Sequence, residues 1–241
     1  MRADAGGARP PSGPDGASAM QLLHIGRERA PLLVIDEFAP DPEQLVALAA
    51  PKHFRATTRH FPGIRAQAPR SYQRLLLEAL RRTLTDFFGL AGNSLSFSMC
   101  HYSLVTTPPE RLAPIQRIPH IDSVDGGGLA TVHYLFRGPY GGTAFYRHRS
   151  TGYESVDADR GRHYFAALER ELTGPHAPPA AYIDGDTPLF EEIARQEGAF
   201  NRILVYRRNS LHSGSIAPGT ELSPNPLAGR LSINSFIDVE P

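Results

Sequence analysis

The sequence predicts a mostly β protein with flanking helices and a sandwich or jelly-roll core. Three observations support this prediction. Several short stretches alternate apolar and polar residues, which is the period of a half-buried strand. Glycine pairs and triplets separate these stretches, as turns require. Two stretches nearer the amino terminus place apolar residues at helical spacing instead, so we expect helices that back a sheet.

The amino-terminal half contains the predicted helices. Residues 31–36 form a short apolar run that predicts a buried strand. In the segment that follows, Asp41 is a candidate N-cap and Pro42 suits the first helical position. A second helix is predicted over about 72–88, with an apolar stripe and Gly89 at its end. These two helices should lie against the sheet.

The rest of the chain reads mainly as strands. Residues 95–105 alternate over most of their length and stop before a Pro-Pro pair. Later strands are predicted in the segments LATVHYLF, TAFYRH, FNRILVYRR and RLSINSFIDV. Residues of about 150–199 do not fit this rhythm, because FAALEREL and FEEIARQ have helical spacing around a Pro-rich middle. We expect a helical insertion there.

Composition indicates which binding partners and which cellular compartment to expect. The 241 residues contain 25 Lys plus Arg and 25 Asp plus Glu, so no net charge favours nucleic acid or an anionic membrane. The single cysteine, Cys100, cannot form a disulfide within the chain or a thiolate zinc cage. No stretch approaches the roughly 20 apolar residues of a membrane span. We expect a cytoplasmic protein that binds neither nucleic acid nor membrane, of unspecified oligomeric state.

Domain organisation follows from composition and length. Residues 1–19 are rich in Gly, Pro and Ala, lack the apolar run of a secretory signal, and are expected to be disordered. All-β proteins of this length commonly form one unit. We therefore expect a single domain over 20–241.

Two separated motifs offer ligands for a metal ion. His120-Ile-Asp122 places an imidazole and a carboxylate two residues apart, and such residues share a face of an extended strand. His212 follows a β-rich segment far along the chain. Two histidines and one carboxylate with open positions is the arrangement of non-haem iron(II) oxygenases. We interpret the three residues as one iron(II) site.

The last predicted strand carries a candidate anion-binding residue. Arg230, Ser232, Asn234 and Phe236 share one face of that strand, and a buried Arg on this face needs an anionic partner or water. An iron(II) site with open positions can bind 2-oxoglutarate, whose distal carboxylate then needs a cation. The planar guanidinium of Arg230 suits that carboxylate, and Ser232 could add a hydroxyl donor.

Taken together, the motifs resemble the iron(II)/2-oxoglutarate-dependent oxygenases of the double-stranded β-helix (cupin-like) fold, in particular a bacterial-type branch that is prolyl-hydroxylase-like. The resemblance covers roughly 95–238 and includes a tyrosine-bearing strand with Tyr102, the Gly141-Gly142 turn and the Arg230-Leu-Ser232 strand. It departs from the family in the long intervals before and after His212.

The resemblance implies an activity and a set of site residues. His120, Asp122 and His212 would be the metal-binding and catalytic residues, while Arg230, Ser232 and Tyr102 would bind the co-substrate. The enzyme would bind iron(II) and use 2-oxoglutarate and dioxygen to oxidise a substrate C–H bond, with release of succinate. Because family halogenases lack the carboxylate ligand, Asp122 favours hydroxylation.

Several alternatives stay open. The chain could be a non-catalytic cupin-like metal or ligand-binding module, or a zinc-dependent hydrolase or isomerase using the same ligands. Arg230 could form a structural salt bridge with Asp238 or Glu240, and Asp125 competes with Asp122 as ligand. Tyr102 and Tyr134 could be core aromatics or contact the co-substrate or substrate, and His133 could lie in the cavity or the core. The pair Arg207-Arg208 could lie at a solvated edge or near an anionic substrate. The substrate could be a small molecule, an amino acid or a peptide.

Overall fold

A computed structural model of the chain describes residues 19–90 and 94–240, apart from the side chain of Glu240. The prediction of a disordered tail therefore lies outside the described residues, except at Ala19, whose carbonyl accepts a hydrogen bond from the Asp36 amide at 3.1 Å.

The described residues contain ten strands, three α-helices and two short 3-10 turns. The strands are β1 (Met20–Ile25), β2 (Ala30–Ile35), β3 (Gly63–Gln67), β4 (Ser94–Val105), β5 (Leu129–Tyr134), β6 (Gly142–His148), β7 (Phe190–Gln196), β8 (Ile203–Arg207), β9 (His212–Ser215) and β10 (Leu231–Glu240). The helices are α1 (Pro42–Ala49), α2 (Arg70–Phe88) and α3 (Ala158–Leu172), and the 3-10 turns are Pro109–Arg111 and Pro114–Arg117. The mostly β class is confirmed.

The strands form two antiparallel sheets. The larger sheet has the order β1-β2-β8-β5-β10-β4-β3, and the smaller has the order β7-β6-β9. Strand β10 lies between β5 and β4, so the strand predicted to carry Arg230 and Ser232 occupies the middle of the larger sheet. A register shift between Phe236 and Ile237 marks a bulge in its pairing with β4.

The two amino-terminal helices cover one face of the larger sheet, as predicted. The Asp41 side chain accepts a hydrogen bond from the Gln44 amide at 3.0 Å and caps α1. Helix α2 ends at Gly89, whose φ of 67° is left-handed. Its buried stripe is Tyr72, Leu76, Leu80, Leu84 and Phe88, at i, i+4 spacing. Burial of each such side chain contributes about 1.5–3 kcal/mol.

The other face of the larger sheet packs against the smaller sheet. Leu32, Val34 and Tyr206 of the larger sheet share a buried cluster with Phe145 of β6. Beyond the smaller sheet, α3 adds Tyr164 and Leu168 to a separate cluster. The order of layers is therefore α1 and α2, the larger sheet, the smaller sheet, and α3.

The predicted helical insertion is correct in one part and wrong in another. FAALEREL lies in α3, whose N-cap Asp157 accepts a hydrogen bond from the Arg160 amide at 2.9 Å. FEEIARQ is a strand: it is β7, which pairs with β6 from Phe190 opposite His148 to Gln196 opposite Thr143. Its short apolar pattern fits either structure, and pairing with the edge of β6 decides between them.

None of the helices in the described part of the chain is long and apolar enough to cross a membrane.

Candidate metal centre

The backbone brings the two separated motifs together at the start of β9. His120 and His212 exchange two backbone hydrogen bonds of 2.9 Å each, as an isolated antiparallel bridge. The Asp122 amide donates to the Arg208 carbonyl at 2.8 Å. These main-chain bonds fix both ends of the His-x-Asp motif against the segment that leads into His212.

Three ligand-type side chains converge as a result. His120, Asp122 and His212 each offer one atom, and these atoms lie within 4.8 Å of one another. The Asp122 carboxylate oxygens lie 3.7 Å from His120 Nε2 and 3.5 Å from His212 Nε2. Protein N and O ligands bind a divalent transition metal at about 2.0–2.2 Å, so such spacings suit donors that share one ion. The set could hold a metal ion.

Hydrogen bonding orients the distal histidine. His212 is 5% exposed, and its Nδ1 lies 2.9 Å from the Ser210 carbonyl oxygen. A carbonyl can only accept, so Nδ1 carries the proton and the lone pair of Nε2 faces Asp122. This second contact is typical of metal-binding histidines, because it fixes both the tautomer and the ring orientation.

The electrostatic surroundings favour a neutral imidazole at His120. Desolvation in the cavity lowers the pKa of His120 well below its usual value, and the neighbouring His212, Arg65 and His60 lower it further. Metal binding requires the deprotonated imidazole, so this shift keeps the ligand available. Burial raises the pKa of Asp122, while His212, Arg65 and Arg208 act in the opposite direction. A bound cation would stabilise the carboxylate further.

The three side chains lie on the wall of a cavity of about 500 Å³ between the sheets. Its opening is bordered by the segment before β3, by residues near the second 3-10 turn, and by α3. The lining includes Phe61, Met99, Ile118, Ile121, Tyr206 and Phe236, as well as Arg65, Thr143, Gly214 and Asn234. A mostly apolar cavity with a few polar groups is typical of small-molecule sites.

Arg230 is buried directly behind this wall. Its Nε donates to the Tyr140 carbonyl at 2.9 Å, and Nη2 donates to the Gly142 carbonyl at 2.7 Å. Gly214 lines the cavity and has no side chain, and a Cβ atom at this position would lie 3.7 Å from Arg230 Nη2. Among the described residues no carboxylate pairs with Arg230, and burial lowers its pKa. Its guanidinium is therefore buried without a counter-charge.

Neither carboxylate considered as a salt-bridge partner of Arg230 is seen to pair with it among the described residues. Asp238 pairs with Arg208 instead, at 2.8 Å. The side chain of Glu240 lies outside the described residues. Ser232 lies on the same face of β10 as Arg230, and its hydroxyl donates to Asn234 Oδ1 at 2.7 Å.

Tyr102 does not reach the site. Its hydroxyl donates to the Leu45 carbonyl of α1 at 2.8 Å, and its ring belongs to the cluster beneath the two amino-terminal helices. This position favours the core role for Tyr102 over contact with the co-substrate, because β4 turns Cys100, Tyr102 and Leu104 to the helix face. Cys100, Tyr102 and Leu104 are spaced two residues apart, so the sequence already indicated that they share one face of the strand.

The other residues with undecided roles now have positions. Asp125 lies 3.4 Å from Arg208 and outside the ligand set, and Arg208 itself is buried. His133 is a core residue: its Nε2 lies 3.0 Å from Asn201 Oδ1, and its ring stacks on Tyr72. Tyr134 and Arg207 are also held by protein contacts, the former at 2.7 Å from Thr143 Oγ1 and the latter donating to the Gly127 carbonyl at 2.7 Å.

Two residues of the site were missed by sequence reasoning. Tyr206 lines the cavity, with its ring centre 4.7 Å from that of His212. Burial raises the pKa of Tyr206 well above its usual value, and Asp122 adds to the shift. Arg65 lines the cavity from β3. Its strand is only five residues long, which gives a weak strand pattern. The signal that could have revealed it is the alternation of Arg65 and Gln67 with Ile64 and Ala66.

Comparison with known families now places the chain. Residues 17–237 match DUF6445, described as a family of unknown function. The chain belongs to DUF6445. Comparison of this DUF6445 protein with curated proteins gives no significant match.

Solved structures resemble the DUF6445 protein in fold. HygX from Streptomyces hygroscopicus with nickel and 2-oxoglutarate bound has a TM-score of 0.54 and 12% identity, over 89% of this chain and 84% of that one. HygX with nickel, 2-oxoglutarate and hygromycin B bound has a TM-score of 0.52 and 12% identity, over 89% and 87%. The non-heme alpha ketoglutarate dependent epimerase SnoN, from nogalamycin biosynthesis, has a TM-score of only 0.43 and 13% identity, over 88% and 78%, and adds no argument. The fold is thus shared with a protein that binds a metal ion and 2-oxoglutarate.

Proposed function

We propose that this protein is a non-haem iron(II)- and 2-oxoglutarate-dependent oxygenase of the hydroxylase type, built on a double-stranded β-helix core. The observation that carries the proposal is the meeting of His120, Asp122 and His212 on the wall of one cavity. Two imidazoles and one carboxylate leave coordination positions open for a co-substrate and dioxygen. The fold shared with HygX supports the same class.

The donor set fits iron(II). Both imidazoles present Nε2 toward the Asp122 carboxylate, and no thiolate is near, since Cys100 is buried in the cluster under the helices. Hard and borderline donors of this kind suit iron(II), whereas thiolate sets favour zinc. When bound, the iron with 2-oxoglutarate and dioxygen supplies the oxidation of a substrate C–H bond, coupled to decarboxylation of the co-substrate to succinate.

Arg230 is the residue that would bind the distal carboxylate of 2-oxoglutarate. It is a buried guanidinium that pairs with no carboxylate of the described chain, and only carbonyl oxygens accept its hydrogen bonds. Leaving such a charge uncompensated is costly, so an anion entering past Gly214 would be favoured. Ser232 and Tyr134 lie on the same side and can add hydroxyl groups around that carboxylate.

The chain also supplies exclusion of water and orientation. Phe145 and Tyr206 pack around the ring of His212, with ring centres at 6.4 and 4.7 Å. This packing holds the ligand in one rotamer and desolvates the metal position, which strengthens electrostatic interactions there. The cavity opening toward α3 would admit the substrate, which we propose to be a small molecule, an amino acid or a peptide.

Metal and co-substrate binding test the proposal. Under anaerobic conditions, iron(II) plus 2-oxoglutarate should give a charge-transfer absorption band and one iron per chain, and admission of oxygen should give succinate. His212→Ala should lose all three responses. His53→Ala is the matched control, because His53 is exposed and outside the ligand set, and it should behave as wild type.

The outcomes separate the alternatives. Absence of the absorption band with the wild-type protein refutes the proposal. Metal binding without succinate from 2-oxoglutarate would instead identify a non-catalytic binding module. Retention of zinc in preference to iron after anaerobic purification would point to a hydrolase or isomerase.

A further inference from the structure

A second arginine, Arg65, lines the cavity itself, and its charge interacts with Asp122 without forming an ion pair. Arg65 lies on the edge strand β3 and lines the cavity together with the three ligand residues. Across residues 19–90 and 94–240, none of the described carboxylates forms an ion pair with it. Its guanidinium lies 4.1 Å from the centre of the Phe61 ring, and Nη1 lies 3.6 Å from Met99 Sδ. Its Nε is buried and has no hydrogen-bond partner.

Unsatisfied polar groups surround this guanidinium on the same sheet face. Arg65 pairs across the sheet with Ser103 of β4, whose hydroxyl is buried and has no hydrogen-bond partner. His101 lies on that face two residues earlier, and its Nδ1 is likewise buried and without a partner. Met99 and Val105, on the same face to either side, both line the cavity. Three groups able to bind an anion therefore lie together.

Such a cluster is costly unless something binds to it. A buried donor without an acceptor is costly, and a half-buried guanidinium without a paired anion adds to that cost. Arg65 also lowers the pKa of His101, second to the effect of burial, so the imidazole stays neutral beside the guanidinium. A carboxylate would accept hydrogen bonds from Arg65 and compensate its charge, and its geometry matches the planar fork.

Arg65 lines the cavity, whereas Arg230 lies behind a different part of its wall. Arg65 pairs with Ser103, and Ser103 pairs with Ser232, so Arg65 lies two strands from β10. Arg230 lies two residues before Ser232, just ahead of β10. With strands about 4.8 Å apart and residues about 3.4 Å apart, the two backbones are roughly 12 Å from each other. One arginine can therefore bind the co-substrate while the other meets a second anionic group.

The exposed part of the cavity lining has both apolar and polar side chains. Ile115 and Phe165 line the cavity and remain 37% and 48% exposed, and Thr58 and His60 are polar and exposed. Large apolar side chains left exposed at the edge of a cavity are typical of a binding surface. They would cover an apolar part of a ligand whose charged end reaches Arg65.

We propose that Arg65 binds a carboxylate of the primary substrate, with Ser103 and His101 beside it on the same sheet face, so that the substrate is an organic acid with an apolar body. That the bound carboxylate belongs to the substrate rests on the proposed function. Binding of an anion at Arg65 does not require the metal, so an experiment can test the anion site separately from the proposed function.

Fluorine NMR with 4-fluorophenylacetate and its neutral analogue 4-fluorophenylacetamide tests the inference. The full chain is titrated both metal-free and loaded with zinc(II) and saturating 2-oxoglutarate, which occupies the co-substrate site. The carboxylate should bind at least tenfold more tightly than the amide in both samples. Arg65→Met should weaken carboxylate binding at least tenfold, and Arg65→Lys should weaken it less, since it keeps the charge but loses the fork.

Arg59→Met is the matched control, because Arg59 is exposed beside the opening and contributes only its backbone carbonyl to Gln116. It should bind as wild type. Circular dichroism and thermal melting establish that each variant is folded.

Four results would overturn the inference: no carboxylate binding by wild type, equal binding of acid and amide, unchanged binding by Arg65→Met, or loss of 2-oxoglutarate binding in Arg65→Met. The last would assign Arg65 to the co-substrate. Conversely, Arg65-dependent binding of the carboxylate in a protein that binds neither iron nor 2-oxoglutarate would support the anion site while refuting the proposed function.

Discussion

Replacing Arg230 by methionine separates co-substrate binding from stability. Methionine has a similar length but no charge. In the absence of ligand, the change leaves the Tyr140 and Gly142 carbonyls without their donor, at about 1–3 kcal/mol each if they stay dry. It also removes a buried cation whose desolvation costs several kcal/mol. These effects oppose each other, so we expect the free energy of unfolding without ligand to change by less than about 2 kcal/mol.

The effect on 2-oxoglutarate should be much larger. Hydrogen bonds to charged groups contribute about 1.5–3 kcal/mol, and removing one partner of a buried ion pair costs about 3–5 kcal/mol. A loss of about 3–4 kcal/mol weakens binding about 100-fold to 1000-fold. At a ligand concentration of 100 Kd for wild type, binding stabilises the fold by about 2.7 kcal/mol. In Arg230→Met the same concentration should stabilise it by about 0.4 kcal/mol or less.

Chemical denaturation with and without 2-oxoglutarate, in the presence of nickel(II), measures this difference directly. Wild type and Arg65→Met should gain the full stabilisation from 2-oxoglutarate, and Arg230→Met should gain almost none. Full stabilisation of Arg230→Met by 2-oxoglutarate would refute the role given to this guanidinium.

Two further predictions concern pH and stability. Burial lowers the pKa of His133 to about 4, against 6.5 in the unfolded chain, so stability should fall as pH drops from about 6.5 to 4, by up to roughly 3 kcal/mol. His133→Phe, which can keep the stacking on Tyr72, should reduce the difference in urea stability between pH 7 and pH 4.5; an unchanged difference would exclude His133 as its source. Burial acts to raise the pKa of Glu154, but the amides of Glu28 and Arg27 and the Arg147 guanidinium together lower it, so its contribution is present above pH 4.5 and is lost in acid. Glu154→Gln should cost about 1–3 kcal/mol at pH 7 and less at pH 3 by equilibrium unfolding, whereas equal losses at both pH values would contradict this titration.

Local pattern was sufficient for several elements. The Asp41-Pro42 start of α1, the apolar stripe of α2 and the alternation along β10 each depend on neighbours within a few residues. The same reasoning failed for FEEIARQ, where pairing with β6 makes a strand. For Tyr102 it left a core role and a co-substrate role open, because a resemblance in strand order does not determine which face a side chain takes.

The sequence by itself determined the ligand types, since His120, Asp122 and His212 could be selected by their chemistry and spacing. Only the tertiary structure decided that they meet, through the backbone bridge between His120 and His212. The tertiary structure also placed Arg65 on the cavity and left Arg230 without a carboxylate partner among the described residues. Such facts depend on pairing between strands distant in the chain, where long-range hydrogen bonds and burial fix positions that local periodicity does not encode.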